Sequence, residues 1–209
     1  MLKTKTISVL FILALVIVPH TAFALDTLYS PIVHKGEMEL EYLGNTTFDG
    51  RHDKNNIQGH ELEMEYGLTD RLKIKANAGF DKPLDESLKL HGVGFGGVYQ
   101  FFEQGEKDID SGLLVNYTLS PIGGEADELE VKLLLEKQWG HFLHRANIGF
   151  SQEMWAHASG GPAPVFLWNT RYRNNPAFEP GLEIQSDFGK LNEGHGFNAQ
   201  EHYIGPIAY

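Results

Sequence analysis

The sequence contains no cysteine, so no disulfide holds the fold together, whichever compartment it occupies. Positive charge is also scarce. Against 28 Asp+Glu stand only 17 Lys+Arg, a formal net charge of −11. That balance argues against a nucleic-acid partner, whose phosphates demand a basic surface. It equally disfavours adsorption to anionic lipid, which needs clusters of Lys and Arg. Long apolar runs are missing after Val18; no later segment approaches the about 20 apolar residues that a membrane-crossing helix needs.

What is present begins with Lys3 and Lys5, an apolar run from Ile7 to Val18, Pro19, and then Ala22-Phe23-Ala24. A basic start, a short apolar core and small residues at −3 and −1 predict a secretory signal over residues 1–24, cleaved after Ala24. The alternative, an uncleaved anchor, would need a longer apolar run. Residues 25–209 are then one domain of ordinary size, more acidic still for the loss of Lys3 and Lys5. The 23 Gly and 11% aromatic residues point to β structure with many turns.

Period-two alternation dominates from residue 36 onwards. In Glu37-Met38-Glu39-Leu40-Glu41-Tyr42 acidic and apolar residues alternate. The pattern returns with Glu61, Glu63 and Glu65 set against Leu62, Met64 and Tyr66, and again in Arg71 to Phe80 with basic residues on the polar side. A helix would mix these faces, so the runs are strands. Further strands are expected near 88–102, 110–119, 127–138, 142–152, 164–173, 177–187 and 197–209, which makes ten. Short turn-like links at 67–70, around Gln104-Gly105-Glu106, at 139–141 and at 174–176 alternate with longer polar ones at 44–57, 81–87, 120–126, 153–163 and 188–196. Residues 25–35 read as a short lead-in.

Alternation alone does not say which face is inside. The six carboxylates Glu37, Glu39, Glu41, Glu61, Glu63 and Glu65 share one face of two successive strands, with Arg71, Lys73 and Lys75 on the same face of the next. With residues 67–70 as the hairpin tip, Glu65 falls opposite Arg71, Glu63 opposite Lys73 and Glu61 opposite Lys75. Opposite charges paired across strands contribute roughly 0.2–1 kcal/mol each. In a soluble β-protein binding a small apolar ligand inside, this wall would face water. Three features favour the reverse orientation, an antiparallel up-and-down β-barrel in a bacterial outer membrane with the charge ladder lining its lumen. The strands have the length a tilted membrane strand needs. Aromatics recur near strand ends (Tyr42, Tyr66, Phe80, Phe101, Trp139, Phe150, Tyr172, Phe178) as interfacial girdles do. Link lengths alternate, as periplasmic turns and extracellular loops do. Gly92, Gly94 and Gly96 on the polar face of their strand would leave room for Arg145, Arg171 or Arg173 from across the lumen, or would relieve strain at a bend.

The phrase Glu65-Tyr66-Gly67-Leu68-Thr69-Asp70-Arg71-Leu72, with the signal and the acidic strand pair, resembles bacterial outer-membrane β-barrel proteins of the phenol-degradation meta-pathway type. The resemblance implies a transporter-like outer-membrane protein whose solute is unspecified and whose partners are outer-membrane lipid and the outer-membrane assembly machinery. Such barrels end on a strand with a terminal aromatic. Here Tyr203, Ile207 and Tyr209 alternate and are expected to form the outward apolar face of the last strand, which Gly205-Pro206 interrupts. Ten strands either close by themselves or are a truncated twelve-strand barrel; truncation, which would leave an open edge, is slightly favoured.

No residue pattern calls for a metal, a cofactor or catalysis. His141 and His144, the closest histidine pair, fall on opposite faces of a strand, and no serine lies in a nucleophile context. A lipid-modifying enzyme is the most distant alternative. Six neighbouring carboxylates repel one another and attract cations or basic side chains. The wall therefore serves either a cation-favouring channel or a salt-bridge network that fills a narrow barrel, and the filled barrel is favoured.

Overall fold

The computed structural model describes residues 27–46, 55–121, 125–155, 157–194, 196 and 200–209. The predicted signal over 1–24 and most of the link 44–57 lie outside the described residues. The alternating segments form ten strands: β1 (Met38–Thr46), β2 (Gln58–Gly67), β3 (Leu72–Lys82), β4 (Lys89–Gln100) and β5 (Asp110–Leu119), then β6 (Asp127–Trp139), β7 (Phe142–Met154), β8 (Ala163–Tyr172), β9 (Pro180–Asp187) and β10 (Glu201–Ala208). They pair antiparallel in chain order. The result is one curled sheet, a half-barrel with β1 and β10 as its outer strands.

Local chemistry sets the ends of these strands. At Trp139-Gly140-His141-Phe142 the sheet turns through a two-residue link, with Trp139 paired to Phe142. Gly140 takes φ +58° at the first central position, where a type II′ turn requires glycine. β9 begins three residues later than expected. The Asn175 side chain accepts the Ala177 N–H and its carbonyl accepts the Phe178 N–H, which makes 175–178 a turn. In β3–β4 the pairing slips between Gly79 and Phe80, leaving His91 as the extra residue of a bulge beside Asp81.

The hairpin register differs from the expected one. Glu65 lies opposite Lys75, Glu63 opposite Asn77 and Glu61 opposite Gly79. The tip is built around Thr69, whose Oγ1 accepts the N–H groups of Arg71 and Leu72, while the Leu72 carbonyl accepts from Leu68. These bonds move the apex from residue 68 to residue 70. The displacement is an even number of residues, so every side chain keeps its face.

The faces are inverted relative to an ordinary soluble sheet. On the concave side Glu63, Lys75, Lys132, Asn147 and Asn169 are at most 5% exposed, beside Val98, Leu114 and Leu134. On the convex side Leu40, Leu62, Met64, Phe95, Val115, Leu133 and Ile148 remain 37–70% exposed. Several exposed rings lie towards the strand ends, with Tyr66, Tyr99, Trp139, Phe142 and Tyr172 at one end and Phe150 and Trp155 towards the other, while Tyr42 and Phe95 stand mid-strand.

β10 corrects a second expectation. Tyr203, Ile207 and Tyr209 face the concave side, in register with Gln185 and Gly181 of β9, and Ile204 is the exposed outward residue. Tyr209 exchanges both backbone bonds with Glu179, so the odd-numbered residues of β10 bond β9. The even-numbered ones, Pro206 among them, turn their backbone to the open edge. A proline there forfeits no ladder bond.

Candidate functional site

Residues 27–36 are more than a lead-in: they run as a strap across the concave face before Gly36 (φ +81°) turns the chain into β1. Tyr29, Pro31 and Val33 are buried in succession, and Tyr29 is the central anchor. Its backbone N–H donates to Asn147 Oδ1 (2.7 Å) and its carbonyl accepts from Asn147 Nδ2 (2.9 Å). Its hydroxyl donates to Glu63 (2.9 Å) and accepts from Lys75 Nζ (2.6 Å). Lys75 Nζ also sits 4.2 Å from the centre of the Tyr29 ring, a cation–π contact in a dry setting. Farther along, Ser30 donates to Glu136 (2.9 Å) and the Val33 N–H to Gln100 Oε1 (2.8 Å). One short segment thus ties β2 and β3 to β4, β6 and β7.

The predicted charge ladder divides into three parts around this strap. Glu63 and Lys75 form a buried pair at 2.7 Å, and Glu65 pairs with Lys73 in equally buried surroundings. Lys73 also reaches Glu39 at 3.7 Å, and Glu61 accepts from Asn77 Nδ2 at 2.8 Å. Removing ions from water costs several kcal/mol each unless they are paired, and these pairings meet that cost. The carboxylates of Glu37 and Glu41 line a cavity but make no hydrogen bond or close ion pair among the described residues. Arg71 does not join the ladder. It leans on the neighbouring turn, 3.9 Å from Glu103 and 3.4 Å from the Phe101 carbonyl, because the displaced apex leaves no β2 residue opposite it.

A second polar layer was not anticipated. Lys132, fully buried, pairs with Glu130 at 2.5 Å, and Arg145 holds Glu136 through Nε (2.8 Å) and Nη2 (2.7 Å). Its signal was available, since Glu128, Glu130, Lys132 and Glu136 alternate along β6 as the glutamates do along β2. The glycines of β4 do not make room for arginines. A Cβ built on Gly94 would lie 2.1 Å from Asn77 Oδ1, and one on Gly92 2.6 Å from the Thr118 methyl. Side chains of the flanking strands already occupy that space.

Two cavities remain beside the strap. One, of about 320 Å³, lies against β2–β5 and is lined by Glu61, Lys75, Asn77, His91 and Asn116. The other, of about 660 Å³, is lined by Glu37, Glu39 and Glu41 of β1 and by Arg145, Arg171, Arg173 and Glu183 from β7 onwards, with Lys73, Glu65 and Glu136 also at its border. Tyr209 borders it, stacked 4.1 Å from the Arg171 guanidinium carbon. Burial pushes the Tyr209 phenol above its ordinary pKa, the Glu183 carboxylate adds to this, and Arg171 offsets part of it. Among the described residues no cluster of His, Asp or Glu has the arrangement of a metal site.

A half-barrel with an ion-paired polar interior, an apolar exterior and an internal strap defines an inside-out β-protein. Comparison with protein-family models, with curated proteins and with solved structures returns no match.

Proposed function

We propose that this is an outer-membrane β-barrel protein of the transport and permeability class, exported on a cleaved signal, whose lumen is closed by the strap 27–36. One observation carries the reading: charged and amide side chains are buried on the concave face while large apolar residues stand exposed all round the convex one. In water that distribution would forfeit hydrophobic burial on one side and incur ion desolvation on the other. In a bilayer the apolar face is solvated by lipid, and the rings clustered at the Tyr66–Tyr172 end sit at headgroup level.

The strap bears on the choice between channel and filled barrel. Tyr29 and its partners occupy the middle of the concave face, where a solute would have to pass. The closed form is therefore the resting form, and passage requires displacement of the strap.

Membrane insertion is tested by urea washing of membranes from expressing cells, then detergent extraction and electrophoresis with and without boiling. Resistance to urea and a boiling-dependent shift are expected. Release into buffer as a dissolved β-protein would return the reading to a soluble ligand binder. Planar-bilayer recording then tests the strap. Intact protein should conduct little, and a variant lacking residues 27–35 should conduct with cation preference. Equal conductance of the two forms would remove the strap from the account.

A further inference from the structure

The larger cavity holds two opposite charges that the protein itself leaves underused. Arg171 projects from β8 with its side chain only 12% exposed. Its nearest carboxylate, Glu179, is 3.6 Å from Nη1, and Glu179 is already engaged at 3.0 Å by Arg173. Arg171 Nε is buried and has no hydrogen-bond partner among the described residues. A guanidinium presents five donors in a planar fork suited to a carboxylate, and here the fork is held in place by the Tyr209 ring beneath it. Arg145, which borders the same cavity, is by contrast fully engaged with Glu136.

On the other side of the cavity, β1 contributes Glu41. Its neighbour Glu39 reaches Lys73, but the Glu41 carboxylate has no hydrogen bond or close ion pair among the described residues, and Lys73 and Arg145 act on it only from farther off. One guanidinium with an unpartnered Nε and one carboxylate without a close cation therefore line the same space of about 660 Å³, and they form no ion pair with each other. Leu28, Ile32, Leu43 and Leu143 supply apolar lining to the same cavity.

We propose that this cavity is a binding site for a zwitterion with an apolar spacer, its carboxylate on Arg171 and its ammonium on Glu41. A simple anion would satisfy Arg171 alone and leave its own charge near Glu39 and Glu41. A simple cation would meet the reverse repulsion from Arg145, Arg171 and Arg173. A dipolar ligand answers both Arg171 and Glu41. The site does not depend on conduction or on membrane insertion, so it stands or falls separately from the transport reading.

The test is calorimetric titration of the purified full chain in nonionic detergent. The probes are ω-amino acids of increasing length from β-alanine upwards, each beside the matched fatty acid and alkylamine. At one spacer length the amino acid should bind at least about tenfold tighter than either single-charge analogue. Glu41→Gln should abolish that advantage and leave affinity equal to the fatty acid's, while Arg171→Gln should abolish binding of both carboxylates. Glu41 is not part of a packed pair, so its variant remains informative even where loss of Arg171 impairs folding. Equal affinity of amino acid and fatty acid at every length would overturn the proposal, as would no binding at all. Binding of phosphoethanolamine without any ω-amino acid would reassign the site to a lipid headgroup.

Discussion

Replacing Lys75 by Met is the sharpest probe of the interior. Lys75 and Glu63 are both about 2% exposed and 2.7 Å apart, and Lys75 also donates to the Tyr29 hydroxyl. Lys75→Met leaves Glu63 buried with the Tyr29 hydroxyl as its remaining named donor and with Oε1 unpartnered. Removing one member of a buried pair costs about 3–5 kcal/mol, a large share of a stability on the order of 5–15 kcal/mol. Neutralising the survivor as well, in Lys75→Met with Glu63→Gln, should recover part of the loss, because Gln still accepts from Tyr29 and carries no charge. Lys89→Met is the control. That pair, with Glu86, is half exposed on both sides, and its loss should cost no more than about 1 kcal/mol. Urea unfolding of the folded protein in detergent, followed by tryptophan fluorescence, measures all three. If Lys75→Met and Lys89→Met cost the same, the interior is hydrated and the reasoning from burial fails.

Leu133 lies on the convex face in the middle of β6, 37% exposed. In a membrane barrel Leu133→Arg should destabilise by about 2–4 kcal/mol in lipid vesicles, whereas on a water-exposed face the change should stay within about 0.5 kcal/mol. Gly94→Ala places a methyl against Asn77 Oδ1 and forces Asn77 away from Glu61. Urea titration should register a loss of about 1–3 kcal/mol, and an unchanged midpoint would mean that Asn77 has room to move.

The strands were legible because two-residue periodicity is a direct imprint of the pleat. Most strand ends fell within a few residues of their expected places, since Gly140 and Asn175 announce turns. Which face turns inward was not written in the pattern, as alternation is symmetric, and charge and link lengths had to supply the choice. The register of β2 and β3 depended on a hydroxyl: Thr69 captures two backbone donors and shifts the apex, and no count of charges reveals that. β10 misled because its aromatics occupy the inward positions, where Tyr209 meets Arg171. The strap was missed although Tyr29, Pro31 and Val33 alternate, because a single short run without a paired neighbour reads as a leader. Arg145 and Arg171 were recognised as inward-facing, but their different states of engagement arise from Glu136 and Glu179, which only the fold brings near them.

The strap also governs the order in which this molecule is built. Its anchor, Tyr29, finds Glu63 across 34 positions but Asn147 across 118. Contacts of such separation incur the entropy of closing a long loop before they contribute anything. The strap therefore receives its last partner only after seven of the ten strands are in place. Until then its tyrosine and the buried lysines wait in water. The N-terminal segment is in this sense a keystone, and an assembly that sets it late completes the molecule from the inside.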